Sequence, residues 1–269
     1  MADSPTIVYL TGAGGFVAGA LRRALFSDPS IVTVPIRCGE TPEIAARSVV
    51  VHCAWPGSID DLQWQEFRDW SIRLRQGARC GARFIGIGSG VEAYEGDDRL
   101  KEPYKSYARR KSDLKQALAV EAAEHFSWVR LHFIFGSGER ATRFVPAAIR
   151  ACQTGDAFTC GSLARQRRWL HVDDQATILA AFLKSQAVGD WDIAGRADVS
   201  FRDLLAIIEE AVGVKLRLTE NAEPTPDGAI GAIVPDRLTP LVPATAGRRD
   251  NLLARLREYA QTLRLAAER

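Results

Sequence analysis

Tyr107 and Lys111 stand four residues apart in the run Tyr107-Ala108-Arg109-Arg110-Lys111. On a helix that spacing turns a phenol and an ammonium toward the same side. A cation beside a phenol favours the phenolate, so the pair predicts a tyrosine drawn below its ordinary pKa and able to trade protons near neutrality. Ser89 closes the apolar run 84–89 (FIGIGS) and offers a hydroxyl to a substrate oxygen beside Tyr107, though a turn cap would call for the same residue type. By itself YxxxK is a common spacing. Its weight comes from position, in a long helical pattern after the third apolar run that follows a glycine turn.

That turn is Thr11-Gly12-Ala13-Gly14-Gly15-Phe16-Val17-Ala18-Gly19, reached from the β-prone run 6–10 (TIVYL) and followed by a helical apolar pattern. Strand, glycine turn and helix together predict a dinucleotide site. Gly12 makes the turn, Gly15 lets the backbone approach a pyrophosphate, and Ala18 packs the helix on the strand. The free N–H groups and positive dipole end of the helix then face the phosphates. Gly12, Gly14, Gly15, Phe16 and Val17 are the expected cofactor contacts. Where many NAD enzymes end their second strand with an acid, this chain reads Pro35-Ile36-Arg37-Cys38. A guanidinium suits a 2′-phosphate, so Arg37 favours NADP(H) over NAD(H), with a solvated arginine as the alternative.

These residues need a scaffold, and the rest of the chain supplies its pattern. Apolar β-like runs at 31–36, 48–53, 83–88 and 128–135 alternate with helical patterns at 60–79 and 106–124. Continuous apolar strands separated by helices predict an α/β, Rossmann-like doubly wound parallel sheet. After Gly136 the rhythm changes, with a lone helical segment at 144–152 and five prolines within 221–243. The expected division is a cofactor domain over 1–135 plus about 165–190. A smaller substrate-binding lobe over 136–164 and 191–269 then lies across the carboxyl ends of the strands.

The ordered set TGAGGFVAG, VVVHCA, FIGIGSGVEAY, YARRK, VRLHFIFGSGE, RFVP, RRWLHVDD, WDIAG and VSFRDLLAII resembles the NAD-dependent epimerase/dehydratase family, the extended short-chain dehydrogenases. Within it the chain is most similar to the branch acting on nucleoside-diphosphate sugars. The resemblance implies Tyr107 as proton donor or acceptor, Lys111 on the nicotinamide ribose, and Ser89 completing a triad. It also implies His52, Cys53 and Ala54 along the cofactor, Phe144 near the nucleobase and Arg168 on the diphosphate. Arg168 belongs to a cluster with Arg165 and Arg167 that would otherwise be a solvated loop. His171 and Asp173 read as structural, joining the lobes. Dehydratases of the family place an Asp-Glu pair directly after the catalytic hydroxyl residue. Here Gly90 and Val91 follow Ser89, and Glu92 comes third, which argues against dehydration. Phe133 stands where many relatives carry Asn, and the short stretch 39–48 implies that a strand or helix of the usual domain is trimmed. Relatives often pair through their two long helices, here 60–79 and 106–124, so a homodimer using Trp64, Phe67 and Leu114 is expected; core packing would explain the same residues.

Three functions remain open at this point. The first is NADPH-dependent reduction of a 4-keto sugar on a nucleotide, the second a nucleotide-sugar epimerase with transient hydride transfer, and the third a non-catalytic cofactor-binding regulator. Composition narrows the rest. A formal charge of +2 is too small to imply nucleic acid as a partner. The five cysteines are dispersed without metal-ligand spacing, which suggests free thiols, no metal and a reducing cytoplasm. No apolar run approaches the roughly 20 residues of a membrane span, and the first residues do not have the pattern of a signal peptide.

Overall fold

A computed structural model describes residues 4–57, 60–78, 81–120, 125–221, 235 and 237–268. The first half alternates as its apolar pattern requires, with β1 (Thr6–Thr11), α1 (Phe16–Phe26), β2 (Ile31–Ile36), β3 (Val49–His52), α2 (Asp61–Gly77), β4 (Arg83–Ser89), α3 (Tyr104–Ala119) and β5 (Phe126–Leu131). There follow β6 (Ile134–Phe135), α4 (Phe144–Thr154), β7 (Ala157–Cys160), β8 (Gln166–Arg167), β9 (Leu170–His171), α5 (Val172–Lys184) and β10 (Gly189–Ile193). The chain closes with β11 (Val199–Ser200), α6 (Phe201–Val212), β12 (Arg217–Glu220) and α7 (Arg249–Ala267). Arg79, Cys80 and Glu124, which figure in the sequence reading, lie outside the described residues, as does most of the proline-rich stretch.

The central sheet has the order β10-β5-β4-β3-β1-β2, and every pairing in it is parallel. Parallel strands need both faces covered. Leu21 and Leu25 of α1 and Ile178, Leu179 and Phe182 of α5 pack on one face. Trp64, Phe67, Trp70 and Leu74 of α2, with Leu114 and Leu118 of α3, pack on the other. Between β2 and β3 the chain has turns but no helix, so the trimming expected there is present, and β2 forms the sheet edge.

The structure corrects several boundaries. The run 128–135 is two strands, because His132 leaves the sheet: its backbone N–H donates to Ile193 O at 3.1 Å and its ring bonds Asp192 at 2.8 Å. Ile134 then pairs with Leu170 in a separate small sheet. Residues 191–193, expected in the smaller lobe, are in β10 of the central sheet. Trp64, Phe67 and Leu114 are buried in the core rather than offered to a partner. The outward sides of α2 and α3 carry the ion pairs Arg68–Asp113 and Arg110–Asp61.

The smaller lobe has its own core, in which α4, α6 and α7 enclose Ile149, Leu204, Ile208, Leu252 and Leu256. Asp173 does not join the two parts, since it pairs with Arg23 of α1 at 3.0 Å. Its neighbour Asp174 does, through an ion pair with Arg255 of α7. His171 caps α5, its Nδ1 accepting from the Asp173 amide at 3.3 Å.

Candidate active site

At the carboxyl end of β1, Gly12 has φ +66, and a Cβ there would lie 3.0 Å from the Ala54 backbone. Only glycine lets β1 and the segment after β3 meet this closely. Nothing would touch a Cβ on Gly14, so this side of the turn is open. No side chain caps the α1 N-terminus, and its first turn carries no acid. An open glycine turn feeding an uncapped helix is a cradle for a pyrophosphate, and the residues present fit a dinucleotide.

A buried chain of hydrogen bonds fixes the wall of that cradle. The Ala54 amide donates to Thr11 Oγ1 at 3.0 Å, Thr11 Oγ1 meets His52 Nδ1 at 3.0 Å, and His52 Nε2 meets Ser71 Oγ at 3.1 Å. Ser71 donates onward to Phe67 O at 2.8 Å, so its oxygen accepts from Nε2–H, and Nδ1 accepts from Thr11. Burial, with the nearby Lys111 charge, lowers the His52 pKa to about 3 and keeps the ring neutral. The His52 side chain therefore points into the core, stacked on Phe67. It braces the wall and does not face the cleft as expected. Burial also pushes the Cys53 thiol up to about 12.

Ser89, Tyr107 and Lys111 come together at the ends of β4 and α3. The Ser89 hydroxyl lies beside the Tyr107 phenol and acts to lower its pKa. Lys111 is buried, and its ammonium donates to Ile87 O at 2.7 Å. Two residues not expected in the site complete the group. Trp55 covers Lys111, with Nζ 4.1 Å from the ring centroid, and meets Tyr107 edge to face at 5.2 Å. Glu92 is buried behind Ser89 and faces Lys111. The aromatic at 55 carries no sequence signal, but Ser89-Gly90-Val91-Glu92 has the spacing of a capping box, and the structure forms that box.

The expected drop in the Tyr107 pKa does not occur. Burial raises it to about 12, with Glu92 and Tyr104 adding to the rise, while the Ser89 hydroxyl and Arg143 oppose it. Lys111 gives no relief because its ammonium is directed at Ile87 O and Trp55. The phenol accordingly keeps its proton.

Other expected contacts are differently placed. Arg37 at the tip of β2 has its side chain 89% exposed, and Glu40 folds back on it, accepting from the Arg37 amide at 3.0 Å and standing 3.9 Å from the guanidinium. A carboxylate thus reaches the strand end after all. Phe144 lies in an aromatic cluster with Phe158, Trp169 and Phe201. Arg168 is bound through two nitrogens to Asp198, at 2.9 and 3.2 Å. Arg143, half-exposed at the start of α4, is the cation in this lobe that influences Tyr107. A cavity of about 520 Å³ opens at the opposite, amino edge of the sheet, among Thr6, Ser30, Arg83 and Lys184. There Arg83 is held by two backbone carbonyls and Lys184 by Asp28, far from Tyr107. Among the described residues no cluster of three or more His, Cys, Asp or Glu side chains suits a metal, and no helix is long and apolar enough to cross a membrane.

Comparison with known proteins agrees with this architecture. The chain is similar to a UDP-N-acetylglucosamine 4-epimerase from Methanobrevibacter ruminantium M1 in complex with UDP-N-acetylmuramic acid, at TM-score 0.74 and 17% identity over 98% of this chain and 100% of that one. It is similar to UDP-glucuronic acid 4-epimerase from Bacillus cereus in complex with UDP-glucuronic acid and NAD, at 0.72 and 16% over 96% and 100%. A dTDP-4-dehydrorhamnose reductase from Clostridium acetobutylicum ATCC 824 scores 0.71 at 16% identity over 96% and 100%. No curated protein matches the sequence. Residues 71–194 match the model of the NAD dependent epimerase/dehydratase family. That match lies within the Rossmann-like fold that nearly the whole chain shares with these structures.

Proposed function

We propose that the chain is a nicotinamide-dependent oxidoreductase that reduces a keto group at C4 of a nucleotide-linked sugar. The observation that carries this reading is the Ser89 hydroxyl beside a Tyr107 phenol that holds its proton, next to an open glycine turn. Gly12, Gly14, Gly15, Phe16 and Val17 would hold the pyrophosphate, while Ala54 and Trp55 form the adjoining wall. When bound, the cofactor supplies hydride to the carbonyl carbon. Tyr107 gives its phenolic proton to the carbonyl oxygen, and Ser89 orients that oxygen through its hydroxyl. Lys111, one helical turn away, would hold the nicotinamide ribose.

The phenol keeps its proton near neutrality, the form that can donate to a carbonyl oxygen, and this favours reduction of a keto group as the reaction started from the resting site. Arg143 is the stronger candidate for the substrate diphosphate, because Arg168 would first have to leave Asp198. NADP(H) remains the preferred cofactor on the strength of Arg37, although Glu40 reduces that preference through like-charge repulsion of a 2′-phosphate.

The test is incubation with NADPH or NADH and a panel of nucleoside-diphospho-4-keto-6-deoxysugars, following absorbance of the reduced cofactor. Consumption with one of them is the expected result. Conversion of a nucleotide sugar without net change in cofactor assigns the site to an epimerase instead. Cofactor binding without turnover of any member leaves the regulator reading.

A further inference from the structure

Burying a lysine ammonium is costly unless a charge of opposite sign is buried with it. We propose that Glu92 is the positioning residue of this site: its carboxylate holds the Ser89 backbone in place and supplies the counter-charge that keeps the Lys111 ammonium charged inside the protein. This assignment deepens the oxidoreductase reading and rests on Tyr107 and Lys111 being its reactive pair.

The geometry around Glu92 is built for an anion. Oε1 accepts from the Ser89 amide at 2.5 Å, and Oε2 accepts from the Trp128 indole N–H at 2.7 Å. Trp128 reaches it by lying across β4, which requires Gly88. A Cβ there would run into the indole and come within 2.7 Å of the Glu92 carboxylate. One carboxylate thus joins the backbone of the hydroxyl residue to the neighbouring strand, directly behind the phenol.

The surroundings of Lys111 leave Glu92 as its counter-charge. From the end of β3 it faces His52 and Cys53, from the turn after β4 Glu92, and from its own helix Tyr107. Trp55 and Trp128 contribute ring faces, at 4.1 and 5.9 Å. Arg130 of β5 acts on Glu92 and is itself bound to Asp192 at 2.8 and 3.0 Å. His52 and Cys53 are neutral at pH 7, and so is the Tyr107 phenol. Burial brings Lys111 down to about 8, with Glu92 the leading influence in the other direction. Without that carboxylate the ammonium would lose its proton within the working range. A carboxylate that merely closed a capping box would leave the lysine unchanged when replaced by an amide.

The chain has six lysines, so ¹³Cε-lysine labelling gives a spectrum in which Lys111 can be followed, with Lys111→Met identifying its resonance. The measurement uses the full chain without cofactor or substrate. In the unaltered protein the Lys111 resonance is expected to titrate near pH 8. In Glu92→Gln the midpoint should fall by about one pH unit or more. Glu92→Asp keeps the charge but withdraws it by one methylene, so it should give a smaller drop and provides a readout if the glutamine variant does not fold. An unchanged midpoint in a cooperatively melting Glu92→Gln, or in Glu92→Asp if only that folds, overturns the proposal. The two readings fail separately. A shifted midpoint in a protein that reduces no keto sugar leaves Glu92 in its role and removes the reaction, and an unchanged midpoint in an active enzyme does the reverse.

Discussion

Glu92 and Glu139 are both carboxylates withdrawn from water, each facing a cation, yet the protein furnishes them differently. Burial pushes both upward in pKa. Glu92 meets that push with Lys111, the Trp128 indole, the Ser89 amide and Arg130. Among the described residues Glu139, in the loop after β6, has the Gly136 amide at 3.3 Å and Arg143 at 3.1 Å. The Arg143 side chain is 48% exposed while that of Glu139 is 3% exposed, so water screens the cation but does not solvate the anion. Glu139 rises to about 7. The supply of dry donors, more than depth of burial, decides whether a buried carboxyl is held as an anion or left at the edge of titration. On this view the Glu92 side of the cleft is organised for proton transfer, and the Glu139 side is a loop that changes charge near neutrality.

The sharpest way to break this contrast is to remove the group that Glu92 stands behind. Tyr107→Phe keeps the ring against Trp55 and deletes only the hydroxyl. General acid–base catalysis contributes about 10²–10⁴-fold, so turnover on a confirmed substrate should fall by that order while cofactor affinity changes little. Lys111→Met should damage both, and Ser89→Ala should cost less than either. Near-normal turnover in Tyr107→Phe would reduce this side of the cleft to structural packing.

Glu139→Gln tests the other side, and its main effect should be on stability. The folded pKa of about 7 lies above the ordinary 4.5, so the folded state binds more protons between those values and loses stability as pH rises through that window. Below pH 4.5 the carboxyl is neutral in both states and costs nothing; above pH 7 the full penalty applies. The variant should therefore nearly match the parent at pH 4.5 and exceed it at pH 8 by roughly 3 kcal/mol, read from denaturant midpoints at the two pH values. An advantage independent of pH would show that Glu139 is as well supplied as Glu92.

The same contrast marks what could be read from the residues alone. The glycine turn, the alternation of strands and helices, and the YxxxK spacing are local patterns, and the structure places each on the expected element. The surroundings of Lys111 are not local. The register pairing Gly86 with Trp128 brings an indole from β5 across β4 to a carboxylate 36 residues away, and no spacing within one segment announces it. Only the Ser89–Glu92 half lies within one segment, where the two residues close a capping box. Direction was also hidden: helical spacing places Lys111 on the face of Tyr107, but Ile87 O and Trp55 decide where its ammonium points. Trp64, Phe67 and Leu114 show the matching limit, since periodicity finds a helix's apolar stripe without saying whether core or partner covers it.

The smallest expected effect lies at the tip of β2, where Arg37 and Glu40 form an exposed, weakly coupled version of the cation–carboxylate pairs deeper in the protein. At 3.9 Å the guanidinium is held loosely by Glu40, whose carboxylate is tied instead to the Arg37 amide. An exposed pair contributes little and is screened by salt. A 2′-phosphate arriving here would gain Arg37 and be repelled by Glu40, so the parent should prefer NADPH over NADH only modestly. Glu40→Gln removes the repulsion while retaining an acceptor for the amide, and should tighten NADPH by about threefold to fivefold without changing NADH. Arg37→Ala should erase the preference. Both effects should shrink between 50 mM and 500 mM salt, whereas the titration of buried Lys111 should hardly move, because screening acts on exposed charges. Equal affinity of the parent for the two cofactors at low salt, unaltered by Glu40→Gln, would show that the strand end does not read the 2′ position at all.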